Sequence, residues 1–271
     1  MTAIQTNDNN TNKLESYTNI KNKTMTLTQL SANNVIDERH FTLFATNIRS
    51  IGKNLDELQI VLESMKTKLS IIILGECWLK DNDHIEEINS IGNYTPHYTK
   101  INKNKNDGVV VFLNSNIKQY KITEIQVQTM TGLIIDLEKE NLLILAIYRS
   151  PNTNVKNFVK DLKETVMSSE MERKKRIIVA GDVNIDIRTQ NENSNLYITT
   201  MAELGLIPLI NQYTRVTKET STCIDHIFFQ MENKHEIKNT IILQTKMTDH
   251  YSTLVSMENL RACKKKKCPK W

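Results

Sequence analysis

From about residue 40 to about residue 257, short apolar runs alternate with stretches whose apolar residues recur every three or four positions. Short apolar runs are typical of buried strands, and the longer spacing is typical of helices packed on a sheet. Strands are predicted in this way at 41–48, 71–74, 108–113, 117–122, 127–137, 142–148, 176–180, 224–229 and 252–257. Helices are predicted at 55–69, 158–166 and 195–204, the last ending at Gly205.

The order of these elements predicts the fold class. Between residues 108 and 148 the strands follow each other with no segment long enough for a crossover helix, which favours antiparallel pairing. Elsewhere helices separate the strands. We therefore predict an α/β protein, a four-layer α/β sandwich in which two packed mixed β-sheets are flanked by helices.

The two ends of the chain lack this pattern. Residues 1–38 are crowded with Asn and Thr and show no apolar periodicity, so they are predicted to be a disordered leader. Residues 39–258 form the predicted folded domain. Residues 259–271 form a basic tail with six Lys and Arg residues and no acid, which is typical of a solvated terminus or of a nuclear-import or phosphate-contacting arm.

Composition and charge exclude several classes of protein. The chain has 271 residues, of which 39% are hydrophobic and 24% charged, as in ordinary globular proteins. Its apolar runs are far shorter than the roughly 20 residues of a membrane span, so no membrane partner is expected. The net charge of +4 comes from the tail, since the rest of the chain has 29 basic against 31 acidic residues. Charge alone therefore does not predict nucleic-acid binding.

Candidate chemistry lies where polar residues interrupt or end the apolar strands. Such positions lie at the rim of a sheet, beside a cleft. The residues concerned are Asn47, Glu76, Tyr148, Arg149, Asp182, Asn184 and the Asp-His pairs at 225–226 and 249–250. Any one of them is more typical of a turn or cap than of a catalyst. Their combination is more informative than any member.

Seven short motifs contain these residues. They are TNIRS at 46–50, GECWL at 75–79, DGV at 107–109, YRSP at 148–151, GDVNID at 181–186, STCIDHI at 221–227 and TDHY at 248–251. In this order they resemble the endonuclease/exonuclease/phosphatase family, also called deoxyribonuclease-I-like. The likeness covers residues 40–257 and is greatest to the apurinic/apyrimidinic-type endonuclease domains of insect non-LTR retrotransposons.

The resemblance implies a role for each residue. Glu76, Asn47 and Asp249 would hold Mg²⁺, with Mn²⁺ as an alternative ion. Asp182 would orient or deprotonate the attacking water, and Asn184 would help hold the phosphate or the nucleophile. Asp225 would orient His250, which would donate to a phosphate oxygen, and Tyr148 would act at the same phosphate. Arg149 and Thr222 would contact the substrate, although an Arg at a sheet edge is as often a salt-bridge partner, and a Thr in a strand more often has only a packing role. Asp186 and His226 point to the opposite face of their strands and are predicted to be structural or surface groups.

The implied function is that of a metal-dependent endonuclease. The resemblance implies nicking of one strand of double-stranded DNA to leave a 3′-hydroxyl, by a monomer that acts inside the cell, in the nucleus. Two alternatives stay open. One is a phosphoesterase of the same fold that acts on RNA, an inositol phosphate or a lipid head group. The other is an inactive, retrotransposon-derived binding module.

Overall fold

The computed structural model describes residues 20–33, 35–79, 91–173, 175–231 and 233–258. The basic tail and most of the Asn/Thr-rich leader lie outside these residues. The described strands are β1 Lys23–Thr26, β2 Phe41–Asn47, β3 Ile71–Gly75, β4 Tyr94–Tyr98, β5 Val110–Asn114, β6 Tyr120–Glu124, β7 Thr131–Leu137, β8 Leu142–Tyr148, β9 Arg176–Asp182, β10 Ile207–Pro208, β11 Arg215–Val216, β12 Ser221–Thr222, β13 Asp225–Phe229, β14 Ile237–Gln244 and β15 Ser252–Met257. The helices are α1 Leu27–Ala32, α2 Ile51–Met65, α3 Val155–Arg173 and α4 Glu192–Glu203, with a 3₁₀ turn at Lys234–Glu236.

The strands form two large mixed sheets and one small hairpin. The seven-stranded sheet has the order β1-β14-β15-β2-β3-β5-β4, and the six-stranded sheet has the order β10-β13-β9-β8-β7-β6. The strands β6, β7 and β8 are consecutive antiparallel neighbours, which confirms the pairing predicted for this part of the chain. The pairs β2/β3 and β8/β9 are parallel, and each is joined by a helical connection. The hairpin β11/β12 is a separate two-stranded sheet.

Three apolar clusters produce the layers. The central cluster contains residues of both sheets, including Leu43, Ile73, Ile144 and Ile178, so the sheets pack face to face. Helices α1 and α2 cover the outer face of the seven-stranded sheet. Helices α3 and α4 cover the outer face of the six-stranded sheet. Because both faces of the central strands are buried, they are almost continuously apolar, and the predicted four-layer α/β sandwich is confirmed.

The structure corrects the predicted end of the leader. Residues 23–26 form β1, which pairs in parallel with β14, and α1 follows directly with Leu30 buried. Asn22 explains why a polar segment is ordered there, because its Nδ2 atom donates to the Leu209 carbonyl (2.8 Å) and to Thr240 Oγ1 (3.0 Å). This segment is held by backbone pairing and by side-chain amides. Neither kind of contact requires apolar residues at regular spacing, so the sequence pattern did not predict it.

Helix boundaries also differ from the predictions. Helix α2 begins at Ile51, four residues before the predicted start, and ends at Met65 because Lys66 adopts a left-handed conformation (φ 53°). Leu69 therefore lies beyond the helix, although it is buried in the same cluster. None of the helices that the structure describes has the length and apolar character needed to cross a membrane.

Candidate active site

Strand ends from both sheets meet at one rim of the sandwich. The parallel pairing of β2 with β3 places Asn47 opposite Gly75, directly before Glu76. In the other sheet Asp182 lies opposite Tyr148 on one side and opposite Asp225 on the other. The predicted residues of the two sheets therefore face each other across one cleft.

Gly181 allows this close approach in the six-stranded sheet. Its φ is +141°, and a Cβ atom there would lie 1.8 Å from the carbonyl oxygen of Ile147. A side chain at this position would force β8 and β9 apart. The glycine thus holds Asp182 beside Tyr148, and this requirement explains its place in the GDVNID motif.

The most buried part of the site is the pair His250 and Asp225. The side chains are 2% and 4% exposed, and His250 Nδ1 lies 3.0 and 2.9 Å from the two Asp225 carboxylate oxygens. Burial lowers the pKa of His250, but the attraction and hydrogen bond of Asp225 outweigh this effect and raise the pKa to about 9. Nδ1 donates to the carboxylate, so the orientation of the ring is fixed and Nε2 remains available for other chemistry.

Asp182 links this pair to the other sheet. Its Oδ2 atom accepts from Asn47 Nδ2 (2.8 Å), and its Oδ1 atom accepts from the backbone N–H of Asn184 (2.9 Å). Burial and the nearby Asp225 carboxylate raise the pKa of Asp182 to about 7, against the opposing effects of His250 and the two hydrogen bonds. A carboxylate with such a pKa can accept a proton near neutral pH.

The polar side chains around Asp182 are also held in place. Asn184 has a left-handed backbone (φ 52°), and its Nδ2 atom donates to the Arg149 carbonyl (2.8 Å). The Tyr148 hydroxyl donates to Glu76 Oε1 (3.1 Å). Burial, followed by the charges of Glu76 and Asp182, raises the pKa of Tyr148, so its hydroxyl stays protonated.

The predicted metal ligands provide the oxygen atoms that a hard cation prefers. The side chains of Glu76 and Asp249 are 15% and 21% exposed, and both face the same guanidinium, that of Arg49. Asp249 Oδ1 is buried and lies 2.7 Å from Arg49 Nη1, and no other hydrogen-bond donor reaches it from the described residues. Two carboxylates that share one guanidinium form a donor set that fits a divalent cation. The Asn47 amide oxygen currently accepts from the Arg49 backbone N–H (3.1 Å).

A second group of ligand-type atoms belongs to Asp182, Asp225 and His250, which lie within 4.8 Å of one another. His250 Nδ1 is already bound to Asp225 in this group. These three residues form the buried half of the site, and the Glu76 and Asp249 carboxylates form its more exposed half.

Arg149 differs from the expected substrate contact. It is 2% exposed, and its guanidinium donates to the carbonyls of Val183 (2.9 Å) and Asn184 (3.3 Å) and to that of Thr153. The guanidinium also lies over the Phe158 ring, 5.6 Å from its centroid. Because its guanidinium is buried and donates to backbone carbonyls, Arg149 cannot reach a phosphate. Arg149 instead supports the Asn184 loop.

Thr222 lies on the β12 strand beside the cleft. It is partly buried and pairs with Arg215 of β11. Both alternatives for Thr222, a backbone contact or packing, are compatible with this position. The residues predicted to be structural are engaged elsewhere: Asp186 accepts from the Cys223 N–H (3.0 Å), and His226 Nε2 lies 3.0 Å from the Cys223 carbonyl.

Three residues of the site were not predicted from the sequence. Arg49 and Arg215 both bind Asp249, and Thr214 Oγ1 accepts from the backbone N–H groups of Ile224 (3.1 Å) and Asp225 (3.0 Å). Arg49 had a signal, because it lies in the TNIRS motif two residues after Asn47. Arg215 and Thr214 lie in a polar segment whose two-residue strand gives no periodic signal.

Backbone strain is concentrated at this rim. Within the described residues, eight non-glycine positions have positive φ, and five of them lie in the loops of the site. These five are Arg49, Ser50, Glu76, Trp78 and Asn184. Such conformations cost roughly 1–3 kcal/mol each and persist where surrounding contacts impose them, most often at functional sites.

Comparison with known proteins identifies the fold. No protein-family model and no curated protein matches the chain. Among solved structures, it is similar to the endonuclease domain of TRAS1, a telomere-specific non-LTR retrotransposon, with 12% identity, a TM-score of 0.64 and coverage of 82% of this chain and 100% of that domain. It is also similar to the AP endonuclease LMAP from Leishmania major, with 10% identity, a TM-score of 0.67 and coverage of 83% and 90%.

A third similar structure is the 3′-5′ exonuclease NExo from Neisseria meningitidis, with 13% identity, a TM-score of 0.64 and coverage of 80% of this chain and 100% of that one. At these identities the likeness concerns the path of the backbone. The chain therefore has the endonuclease/exonuclease/phosphatase fold, also called the deoxyribonuclease-I-like fold.

Proposed function

We propose that this protein is a metal-dependent phosphodiesterase, and that its reaction is the nicking of one strand of duplex DNA to leave a 3′-hydroxyl. The observation that carries the proposal is the buried His250–Asp225 pair beside Asp182, at the same rim as the Glu76 and Asp249 carboxylates. Hydrolysis of a phosphodiester needs a water activated on one side and charge neutralised on the other, and this rim contains groups for both tasks.

The metal site belongs to the more exposed half of the rim. Glu76 and Asp249 would hold the ion, and the Asn47 amide oxygen would join them once released from the Arg49 N–H. When bound, Mg²⁺, or Mn²⁺ in its place, supplies positive charge that polarises the phosphate. Activation of the water and donation to the phosphate are assigned to side chains of the protein.

Asp182 is the proposed partner of the attacking water. Its two oxygens already accept from Asn47 and Asn184, so the carboxylate is fixed in direction before substrate arrives. A pKa near 7 lets it accept a proton from water at the pH of the cell. The Asn184 side chain donates to the Arg149 carbonyl. This hydrogen bond holds Asn184 where its backbone N–H donates to Asp182.

His250 and Tyr148 are the proposed donors to the phosphate. Asp225 keeps His250 charged and oriented, so its Nε2–H can donate to an oxygen on which negative charge builds up. The Tyr148 hydroxyl remains a donor because its pKa is raised. The Glu76 carboxylate that Tyr148 now contacts is also a proposed ligand of the metal, so the hydroxyl lies next to the position of the phosphate.

Duplex DNA is the proposed substrate and partner, acted on by a monomer in the nucleus. Two structures with a similar fold support this choice: the endonuclease domain of the non-LTR retrotransposon TRAS1 and the AP endonuclease LMAP. The fold alone does not determine the substrate, because a human nocturnin catalytic domain is also similar to this chain. Thr222 of the β11/β12 hairpin is proposed to contact the strand. The Lys-rich tail, which could add phosphate contacts, lies outside the described residues.

A fluorescent duplex oligonucleotide tests the proposal. We expect Mg²⁺-dependent cleavage of one strand and products that a DNA polymerase extends without prior phosphatase treatment, since a 3′-hydroxyl is the predicted end. Glu76→Gln should abolish the cut. RNA, an inositol phosphate and sphingomyelin form the matched panel. Turnover of one of these with no cut in DNA would assign the same chemistry to another substrate, and no turnover of any would favour a binding module.

A further inference from the structure

We propose that Arg49 is an exchangeable counter-ion of the metal site. Its guanidinium neutralises Glu76 and Asp249 in the metal-free protein, and a divalent cation has to displace it before it can bind both carboxylates. The inference rests on the proposed function only in assigning these two carboxylates to a metal. It adds a residue that sets the metal affinity.

The position of the guanidinium carries the proposal. Arg49 Nη1 lies 2.7 Å from Asp249 Oδ1, and Arg49 Nε lies 3.9 Å from Glu76 Oε2. One cationic side chain thus forms a close ion pair with Asp249 and a longer one with Glu76.

The backbone presents Arg49 to this position. Arg49 and Ser50 have φ values of 46° and 87°, a sharp reversal between β2 and α2. The reversal is fixed by hydrogen bonds from the Ser50 N–H to the Glu76 carbonyl (2.8 Å) and from the Ile51 N–H to the Cys77 carbonyl (3.0 Å). The loop that carries Arg49 is therefore bound directly to the loop that carries Glu76.

The remaining contacts allow an exchange. Asp249 Oδ2 is held by Arg215 Nε (2.8 Å), so this carboxylate stays in place when Arg49 leaves Oδ1. The Arg49 side chain is 37% exposed, which gives it room to turn toward the cleft. There it would meet an anionic substrate, for which the planar guanidinium is well suited. Cation binding would thus make an arginine available for the phosphate.

Mn²⁺ binding to the metal-free protein tests this proposal without any turnover. Free Mn²⁺ would be measured by electron paramagnetic resonance for the wild type, Arg49→Met, Arg49→Lys and Glu76→Gln. Removing the competing charge should tighten Mn²⁺ binding about tenfold in Arg49→Met, with Arg49→Lys closer to the wild type. Arg39→Met is the matched control, because Arg39 forms an exposed ion pair with Asp37 and should leave the affinity unchanged. Thermal unfolding of each variant checks that it folds.

Each outcome decides between the inference and the proposed function. Tighter binding in Arg49→Met than in the wild type and Arg39→Met supports the exchange, including the case in which only Arg49→Met binds measurably. Equal affinities that Glu76→Gln abolishes would confirm the metal site and overturn the exchange. Binding by none of the proteins would overturn both the exchange and the proposed metal site. Cleavage of DNA without any metal would refute the proposed function alone.

Discussion

The two Asp-His pairs of this chain yield two histidines in opposite environments. His250 lies against the Asp225 carboxylate at the rim, and its pKa is raised to about 9. His226, the residue after Asp225, lies on the other face of β13 and packs against the rings of Tyr197 and Phe228. Burial lowers its pKa to about 4, so it is neutral at physiological pH. His250 is therefore charged and His226 neutral, although His226 belongs to β13 and His250 contacts Asp225 of the same strand.

The difference shows how strand alternation separates chemistry from packing. Successive residues of a strand point to opposite faces, so Asp225 enters the cleft while His226 enters the apolar layer under α4. The linkage to stability has opposite signs. The stability contributed by the His250 pair is present below about pH 6.5 and is lost as the pH rises through about 9. That associated with neutral His226 is present above about pH 6.5 and is lost as the pH falls toward about 4.

Removing each histidine should have unequal effects on turnover, and this is the largest expected difference. His250→Ala should slow DNA cleavage by about 10²- to 10⁴-fold, because the donor to the phosphate is lost. His226→Gln should leave the rate constant close to that of the wild type, because Gln can still donate to the Cys223 carbonyl. Single-turnover rates at saturating Mg²⁺ measure both. Equal losses would show that the two histidines are not divided between chemistry and packing.

Asp225→Asn sharpens the same comparison. An amide keeps the shape of the carboxylate but removes its charge, so the pKa of His250 should fall from about 9 toward the ordinary range. Cleavage should slow by about 10- to 100-fold, the usual cost of losing a residue that orients a catalytic group. Imidazole NMR shifts across a pH titration give the pKa. A His250 pKa that does not move in Asp225→Asn would contradict the assigned cause.

The acid sensitivity of folding should depend on His226. Between pH 6.5 and 4 the unfolded chain binds a proton at this position and the folded chain does not, which costs on the order of 3 kcal/mol over the whole window. His226→Gln should therefore show a flatter loss of unfolding free energy over this range than the wild type. Urea unfolding at several pH values measures the slope. Parallel curves for the two proteins would mean that His226 is protonated in the fold.

The smallest effect is expected at Tyr197, which stacks on His226 with ring centroids 5.6 Å apart. Its hydroxyl is buried and has no hydrogen-bond partner among the residues that the structure describes. Tyr197→Phe removes an unsatisfied polar group and keeps the ring, so the unfolding free energy should rise or change by less than about 0.5 kcal/mol. A loss of more than about 1 kcal/mol would reveal a hydrogen bond of this hydroxyl and a more polar surrounding for His226.

The sequence predicted the layers and most of the rim, for identifiable reasons. Strands such as β8 and β9 are buried on both faces and so appear as apolar runs, and the polar residues at their ends are visible by contrast. Alternation along β13 is sufficient to place Asp225 and His226 on opposite faces. The buried, carbonyl-bound position of Arg149 was not predictable, since it depends on how the Thr153 and Asn184 loops fold back on it.

Some long-range contacts had no local signal in the sequence. β1 is ordered by pairing with β14 and by the amide of Asn22, contacts that span about 200 positions of the chain. Arg49 and Arg215 come together only at Asp249, since they belong to segments far apart in sequence. Hydrophobic periodicity indicates only how residues are arranged along one helix or strand. Contacts of this kind require the complete fold.

The most direct measurement of the proposed reaction is the nicking of supercoiled plasmid by the wild type and Asp182→Asn, each with Mg²⁺ and with EDTA. Asp182→Asn preserves the size of the side chain and its place beside Asn47, but removes the carboxylate that would accept a proton. Open circles should form only in the wild type with Mg²⁺. Equal nicking by Asp182→Asn, or nicking that persists in EDTA, would contradict the assignment of this rim as a metal-dependent phosphodiesterase site.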